Sequence, residues 1–123
     1  MHYFESFQVI IALHEVCPHT VYPALSNIKS TMAKSKHGPN RKKATKLVGT
    51  LCASPSSRLP EECPALWKTF LARHRDCDTN VRREYARRSM EILLSHPNHR
   101  PHIWSMFSVA IRYVKASVKT RFK

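Results

Sequence analysis

The chain has 123 residues, and its 21 Lys+Arg against 8 Asp+Glu give a formal net charge of +13. With 42% hydrophobic and 24% charged residues, its composition is that of a single globular domain, which excludes a disordered chain. The two glycines, Gly38 and Gly49, are too few for a glycine-rich phosphate loop or a dinucleotide-binding fingerprint.

Three helices are predicted in the first half of the chain, because apolar residues recur there at spacings of three and four. Cys17-Pro18 separates the first helix from the second, and the polar stretch 34–40 separates the second from the third. Residues 54–60 form a loop by composition and end the third helix. The apolar faces of the three helices comprise Tyr3, Phe4, Phe7, Ile10 and Ile11; Val21, Leu25, Ile28 and Met32; and Ala44, Leu47, Val48, Leu51 and Cys52.

Three further helices are predicted in the second half. The fourth begins near Pro64, because proline suits a first helical turn. Asp78 or Thr79 is the predicted N-cap of the fifth, since a side-chain oxygen there accepts from the free amides of the first turn. The fifth helix carries Val81, Tyr85, Met90, Leu93 and Leu94, and His96-Pro97 ends it. The predicted buried seam comprises Trp67, Phe70, Leu71, Val81, Leu93 and Leu94, and the sixth helix carries Ile103, Trp104, Phe107, Ala110, Ile111 and Val114.

This order of elements predicts an all-α fold without strand hairpins. Helix pairs of about 40 residues are typical of HEAT or armadillo solenoids, and we place the pairs at residues 1–33, 39–74 and 79–118 of one segment spanning 1–123. A four-helix bundle with extra helices is the alternative architecture. Since solenoid units bury their faces on neighbours, we expect either self-association or dependence on neighbouring repeats. The exposed apolar groups at the two ends would be Phe4, Phe7 and Ile11, and Phe107, Ile111 and Val114.

A family resemblance arises in the second half of the chain. This half carries the run Trp67-x2-Phe70-Leu71-x-Arg73-x2-Asp76-x4-Val81-Arg82-x13-His96-Pro97. The run resembles one repeat of the HEAT-repeat sister chromatid cohesion regulators, the "precocious dissociation of sisters" family. Upstream, Leu13-His14, Pro18, Pro23-x-Leu25, Arg41 and Lys46-Leu47-Val48-Gly49 are similar to the preceding part of these proteins. The resemblance covers residues 10–112. Beyond them the family has an acidic turn, which this chain lacks.

The resemblance implies a non-enzymatic scaffold in the nucleus, associated with chromatin and acting in cell division and DNA repair. Its implied partners are the cohesin complex, through the kleisin subunit, and regulators of the Wapl type. It also implies that Asp76 and Arg82 form hydrogen-bonded ladders between repeats.

The chain's histidines, cysteines and carboxylates do not form the pattern of a metal site or a catalytic centre. Cys63, His74 and Cys77 offer three ligands where a structural zinc site needs four closely spaced ones, and prolines interrupt the histidine-rich stretch 96–102. We therefore predict no cofactor, no metal and no catalytic residue, and reduced thiols in or near the core. No run approaches the roughly 18 apolar residues of a membrane span, and the N-terminal stretch does not resemble a signal peptide, so no membrane contact is expected.

The excess of positive charge points to an acidic partner. Residues 16–60 contain no acidic residue, and such fields attract polyanions. One alternative function is a small basic helical protein that binds DNA or RNA. The structural alternative is a merely solubilising surface, with Glu84–Arg88 and Arg87–Glu91 pairs at i,i+4 spacing. The candidate partner surface comprises Arg41, Lys42, Lys43, Arg83, Arg87 and Arg88.

Overall fold

A computed structural model describes residues 3–104 of the chain, with side chains from Phe7 onward. The α-helices are α1, Tyr3–Val16; α2, Pro18–Lys34; α3, Gly38–Ala53; α4, Leu59–Glu62; α5, Pro64–Leu71; and α6, Thr79–Ser95. Short 3₁₀ turns at Ala72–Arg75 and Pro97–His99 follow α5 and α6, and residues 100–104 are helical. There is no strand within residues 3–104. The predicted all-α fold is confirmed.

Prolines and one aspartate define where the helices begin. Pro18 and Pro64 each stand in the first turn of a helix, where the missing N–H of proline costs no hydrogen bond. Asp78 is the N-cap of α6, and its Oδ1 accepts from the amide of Asn80 at 2.7 Å. The predicted loop at 54–60 is shorter than expected, because α4 begins inside it at Leu59.

The helices pack in two layers around one core. α2 contacts α5, α3 packs along α6, and α1 lies against α2 and α3. No helix within the described part of the chain is both long and apolar enough to cross a membrane. The predicted division into pairs at 1–33, 39–74 and 79–118 stays a prediction, since its last pair runs beyond residue 104. The predicted apolar faces of α2 and α3 are buried, at Val21, Leu25, Ile28, Met32, Ala44, Leu47, Val48, Leu51 and Cys52.

Both glycines of the chain lie where α3 meets α6. A Cβ on Gly38 would lie 2.2 Å from Oδ2 of Asp78, and a Cβ on Gly49 would lie 2.3 Å from Cβ of Arg88. The contact at the start of α3 is with the N-cap of α6, and the contact near the end of α3 is with the second half of α6. The two helices therefore run parallel. Helices joined by a short turn pack antiparallel, so parallel neighbours indicate the stacking of successive helical units, as in a solenoid.

Replacing Gly49 with alanine is expected to destabilise the protein. The new Cβ would also lie 2.5 Å from Cγ of Arg88, so α3 and α6 would have to separate. Overpacking of this kind costs about 1–3 kcal/mol, which we expect to exceed the gain of about 1 kcal/mol in helix propensity. Urea unfolding measures the difference, with Lys46→Ala on the exposed side of α3 as the control. An unchanged or higher midpoint for Gly49→Ala would contradict the close approach.

The predicted seam is buried except at the end of α6. Trp67, Phe70, Leu71 and Val81 are buried, and Leu93 packs half-buried against the core. The predictions for Leu94 and for Met90 on the same stripe are wrong, because these side chains are 82% and 54% exposed.

Leu94 is exposed because it lies about 180° around the α6 axis from the buried Tyr85. Two polar residues, Glu84 and Ser89, take buried positions on α6 instead. An apolar stripe drawn through Leu93 and Leu94 therefore places the core too far around the helix.

The exposed apolar groups of α1 also differ from the prediction. Phe7 and Ile11 pack against the core, whereas Val9, Leu13 and Val16 are the exposed large apolar residues among the described side chains of α1. The side chain of Phe4 lies outside the described residues, as do Phe107, Ile111 and Val114.

Candidate functional site

A buried ionic network connects the start of α3 to the turn before α6. The Asp76 side chain is 2% exposed. Its carboxylate accepts from Nε and Nη2 of Arg41, both at 3.1 Å, and from Nη1 of Arg73 at 2.7 Å. The amide of Asp78 donates to Oδ1 at 2.9 Å. Arg41 also donates to the carbonyl of Ser35 at 2.7 Å, so the network includes the turn between α2 and α3 as well.

The network keeps Asp76 ionised in spite of its burial. Burial raises the pKa of this carboxyl group, but the hydrogen bonds from Arg41 and Asp78 and the charges of Arg41 and Arg73 outweigh burial, so the net pKa is lowered. The hydrogen bond to Asp76 correspondingly raises the pKa of Arg41. A buried carboxylate held by two arginines is a structural ion pair without a free oxygen for acid–base chemistry.

Arg82 contacts Asp76 through the backbone and not through the carboxylate. Its Nη1 donates to the Asp76 carbonyl at 2.6 Å, and its Nη2 donates to Oγ1 of Thr79 at 2.9 Å. The residue that bridges from the preceding helical unit to the Asp76 carboxylate is Arg41. Arg41 is the fourth residue of α3, and Arg82 is the fourth residue of α6. This matching position is the sequence signal that could have identified Arg41 as the partner of the Asp76 carboxylate.

Arg41 therefore does not belong to a partner surface. The residue is only 8% exposed, because its guanidinium is directed into the Asp76 network. An open depression of about 370 Å³ adjoins this network and is lined in part by Arg73, Arg75 and Cys77. The nearby charges of Arg41 and Arg73 are already neutralised in part by Asp76.

Five of the exposed cations lie on one face formed by α3 and α6. This basic face consists of Lys42, Lys43 and Lys46 on α3 and Arg83 and Arg87 on α6, all exposed. None of the five has a carboxylate within 4.0 Å among the described residues. Since α3 and α6 are parallel neighbours, the two rows of charge lie side by side. Four of the six predicted surface residues are thus exposed, namely Lys42, Lys43, Arg83 and Arg87.

Arg88 is the second predicted surface residue that the fold uses internally. Its Nε lies 3.0 Å from Oε2 of Glu84, and its Nη1 lies 3.1 Å from Oε2 of Glu91. Its side chain is 14% exposed, because it packs on Gly49. The predicted Glu84–Arg88 pair is confirmed. Glu91 pairs with Arg88 and not, as predicted, with Arg87.

The thiols and histidines are dispersed in the structure. No group of three or more His, Cys, Asp or Glu among the described residues is arranged to hold a metal ion. Nδ1 of His74 lies 2.9 Å from the carbonyl of Leu71, and Cys77 is exposed, as is Cys17, against the prediction for these thiols. Burial raises the pKa of the Cys52 thiol, so this group is protonated and packs as a small apolar side chain.

A chelator is expected to leave the melting temperature unchanged, because a structural metal would contribute directly to folding. The measurement compares thermal unfolding with and without a chelator, together with metal analysis of protein purified without added metal. Stoichiometric zinc would contradict the expectation and would point to Cys63, His74 and Cys77.

His99 is a buried histidine that is expected to make stability depend on pH. Its ring packs on Trp67 with centroids 5.1 Å apart, and its Nε2 lies 3.5 Å from Oε1 of Glu61. Burial lowers the pKa of His99 from the ordinary value of 6.5, against the opposing charge of Glu61. Burial likewise lowers the pKa of His14.

The unfolding free energy is expected to fall as the pH drops below 6.5. Both folded-state pKa values are lowered, so the unfolded chain binds more protons in this range and is favoured by acid. Urea unfolding between about pH 7.5 and pH 5 tests this, and His99→Gln should remove part of the loss. Asp76 does not contribute there, because its pKa is lowered from 3.8. Greater stability on acidification would contradict the assignment.

Comparison with known proteins identifies a relative for most of the chain. A family model described as "Sister chromatid cohesion protein PDS5 protein" matches residues 3–115. Three curated relatives are each 28% identical to this chain over 92 residues. They are sister chromatid cohesion protein PDS5 homolog A of Gallus gallus, the same homolog of Homo sapiens, and PDS5 homolog A-B of Xenopus laevis.

The matched stretch covers 75% of this chain but only 7% of each relative, so the chain spans a small part of the length of these proteins. No solved structure gives a significant match. The family match extends over α1 to α6 and the Asp76 network. The chain belongs to the PDS5 family of sister chromatid cohesion proteins.

Proposed function

We propose that this chain is a non-enzymatic scaffold segment of a chromatid-cohesion regulator in the nucleus. It acts on chromatin by docking the kleisin subunit of cohesin, and regulators of the Wapl type, on its helical surface. The observation that supports this function is the family match over residues 3–115. A docking role needs a surface of fixed shape, and stacked helices supply one.

The internal contacts support a rigid surface. The Asp76 network fastens the start of α3 to the turn before α6, and the glycine contacts hold the two helices close together. The basic face therefore presents its charges at fixed spacing. Unpaired cations on a rigid surface increase the rate and the specificity of docking to an acidic partner.

The test is recovery of kleisin from a nuclear extract on the tagged full chain. We expect kleisin to be recovered, and recovery to fall with the double variant Arg83→Glu and Arg87→Glu. These residues are exposed, so the substitutions should not unfold α6. The matched control is Lys68→Glu with Arg75→Glu, which reverses two exposed charges away from the basic face.

A parallel DNA titration at two salt concentrations tests the nucleic-acid alternative. A phosphate binder loses affinity steeply as salt rises. Tight, salt-sensitive DNA binding with no kleisin recovered would overturn the proposal. The basic face contains no aromatic residue, which disfavours a surface that stacks single-stranded bases. Self-association through an exposed end stays a prediction, and Val9, Leu13 and Val16 are the groups that α1 offers for it.

A further inference from the structure

The outer side of α6 carries a stripe with two chemically different halves. The α6 stripe consists of Arg83, Arg87, Met90 and Leu94, which lie within an arc of about 60° around the helix and span roughly 16 Å along it. Its first half is cationic. Its second half exposes two large apolar side chains, since Met90 is 54% and Leu94 82% exposed.

The neighbouring helix also carries its exposed cations in its first half only. α3 places Lys42, Lys43 and Lys46 in its first half, and its second half, residues 47–53, contains no charged residue. Because α3 and α6 run parallel, their cationic first halves lie together. The second half of α3 lies beside the second half of α6, where the exposed carboxylate of Glu91 is paired with Arg88. The positive ends of both helix dipoles add to the field at the cationic end.

Nothing inside the described part of the chain explains the apolar half. The core contacts of α6 come from the opposite side of the helix, through Tyr85 and Ile92. A single exposed apolar residue is common on a soluble protein. Two of them one turn apart, continuing a row of unpaired cations, form the polar-and-apolar combination of a protein-binding surface.

We propose that the α6 stripe, with the adjoining lysines of α3, binds a segment of another protein that is acidic at one end and carries large apolar side chains at the other. The acidic end lies on the first halves of α3 and α6, and the apolar end covers Met90 and Leu94. The proposal rests on the proposed function only in expecting a cohesin subunit or regulator to supply the segment. A nucleic acid fits less well, because its phosphates are charged throughout and leave the apolar half uncovered.

The test measures binding of labelled synthetic peptides to the full chain by fluorescence anisotropy at physiological salt. One peptide has a run of glutamates followed by leucines, a second has the reverse order, and a third is a scrambled sequence of the same composition. We expect the better of the two ordered peptides to bind about ten-fold more tightly than the scrambled one, because both halves engage at once.

Two variants separate the halves of the stripe. The double variant Arg83→Glu and Arg87→Glu should weaken the better peptide by at least about ten-fold and flatten its salt dependence. Leu94→Ser should weaken it by about ten-fold without changing the salt dependence, because it removes apolar contact only. Val16→Ser is the matched control, since Val16 on α1 is 85% exposed, and it should leave the affinity unchanged.

Three outcomes would overturn the proposal. The first is equal binding of ordered and scrambled peptides, and the second is equal weakening by Leu94→Ser and Val16→Ser. The third is an affinity that Leu94→Ser does not change while duplex DNA displaces every peptide, which would identify a phosphate-binding surface.

Kleisin recovery distinguishes this inference from the proposed function. Kleisin recovered by the chain and retained by Leu94→Ser, with no ordered peptide bound, would overturn the inference and leave the proposed function standing. Selective peptide binding without kleisin recovery would support the inference and overturn the cohesin assignment.

Discussion

Replacement of Asp76 with alanine is expected to lower the free energy of unfolding by about 3–5 kcal/mol, because it leaves a buried charge without its partner. The Arg41 side chain is 9% exposed and makes two hydrogen bonds to this carboxylate. Arg73, 14% exposed, loses an acceptor too. Urea unfolding monitored by circular dichroism gives the free energy. The loss should be accompanied by loosening of α3 from the turn before α6.

Two further variants show whether the network causes the loss. Asp78→Ala removes the N-cap of α6 and leaves the Asp76 carboxylate with Arg41 and Arg73, and it should cost about 1 kcal/mol. The double variant Arg41→Met with Asp76→Leu should recover part of the stability, because replacing a buried ion pair by apolar groups is often close to neutral, whereas Arg73 still lacks its acceptor. If Asp76→Ala costs no more than Asp78→Ala, Arg41 reaches water without penalty and the network contributes little.

Helix positions were predictable because they depend on local signals. Proline at the first turn of α2 and of α5, and the cap at Asp78, act within a few residues along the chain. The faces of α2 and α3 followed from apolar spacing, since every apolar residue of these two stripes is buried.

The buried face of α6 was harder to predict because polar residues occupy part of it. Glu84 is buried against Arg88, and the latter is covered because Gly49 lets α3 approach. This arrangement depends on a contact between residues far apart in sequence, so spacing along α6 alone favoured Leu94 instead. Arg41 was misplaced for the same reason. Its partner Asp76 lies in another helical unit, and only the matching position of Arg82 in α6 indicates the pairing.

The family was predictable from the sequence, whereas the partner surface was only partly so. The stacking of helical units requires particular residues in the turn containing Asp76 and at the start of α6. These residues can be recognised in the sequence. Exposed cations have no such constraint. Six cationic residues were predicted to form one surface, but two of them, Arg41 and Arg88, form ion pairs inside the fold. The exposed cations of α6 are followed on the same side of the helix by the exposed side chains of Met90 and Leu94. This neighbourhood of charged and apolar groups can be recognised only when the outer side of α6 is known.

Replacement of Trp67 with alanine is expected to cost about 3–5 kcal/mol, the range for a large buried aromatic side chain. Trp67 is 8% exposed, stacks on Phe70 with centroids 5.7 Å apart and packs on His99. Its removal opens a cavity between α5 and the turn after α6. The pH dependence attributed to His99 should shrink in the same variant, because His99 loses the ring that buries it.

The chain's second tryptophan provides the matched control for this measurement. Trp104 is 61% exposed, so Trp104→Ala should change the free energy of unfolding by no more than about 0.5 kcal/mol. Each variant leaves one indole, and fluorescence can check the burial independently. The Trp67 indole alone should emit at shorter wavelength and resist quenching by iodide, whereas the Trp104 indole alone should be quenched readily. Equal losses of stability in the two variants, or equal quenching, would show that α5 does not bury Trp67 in the core.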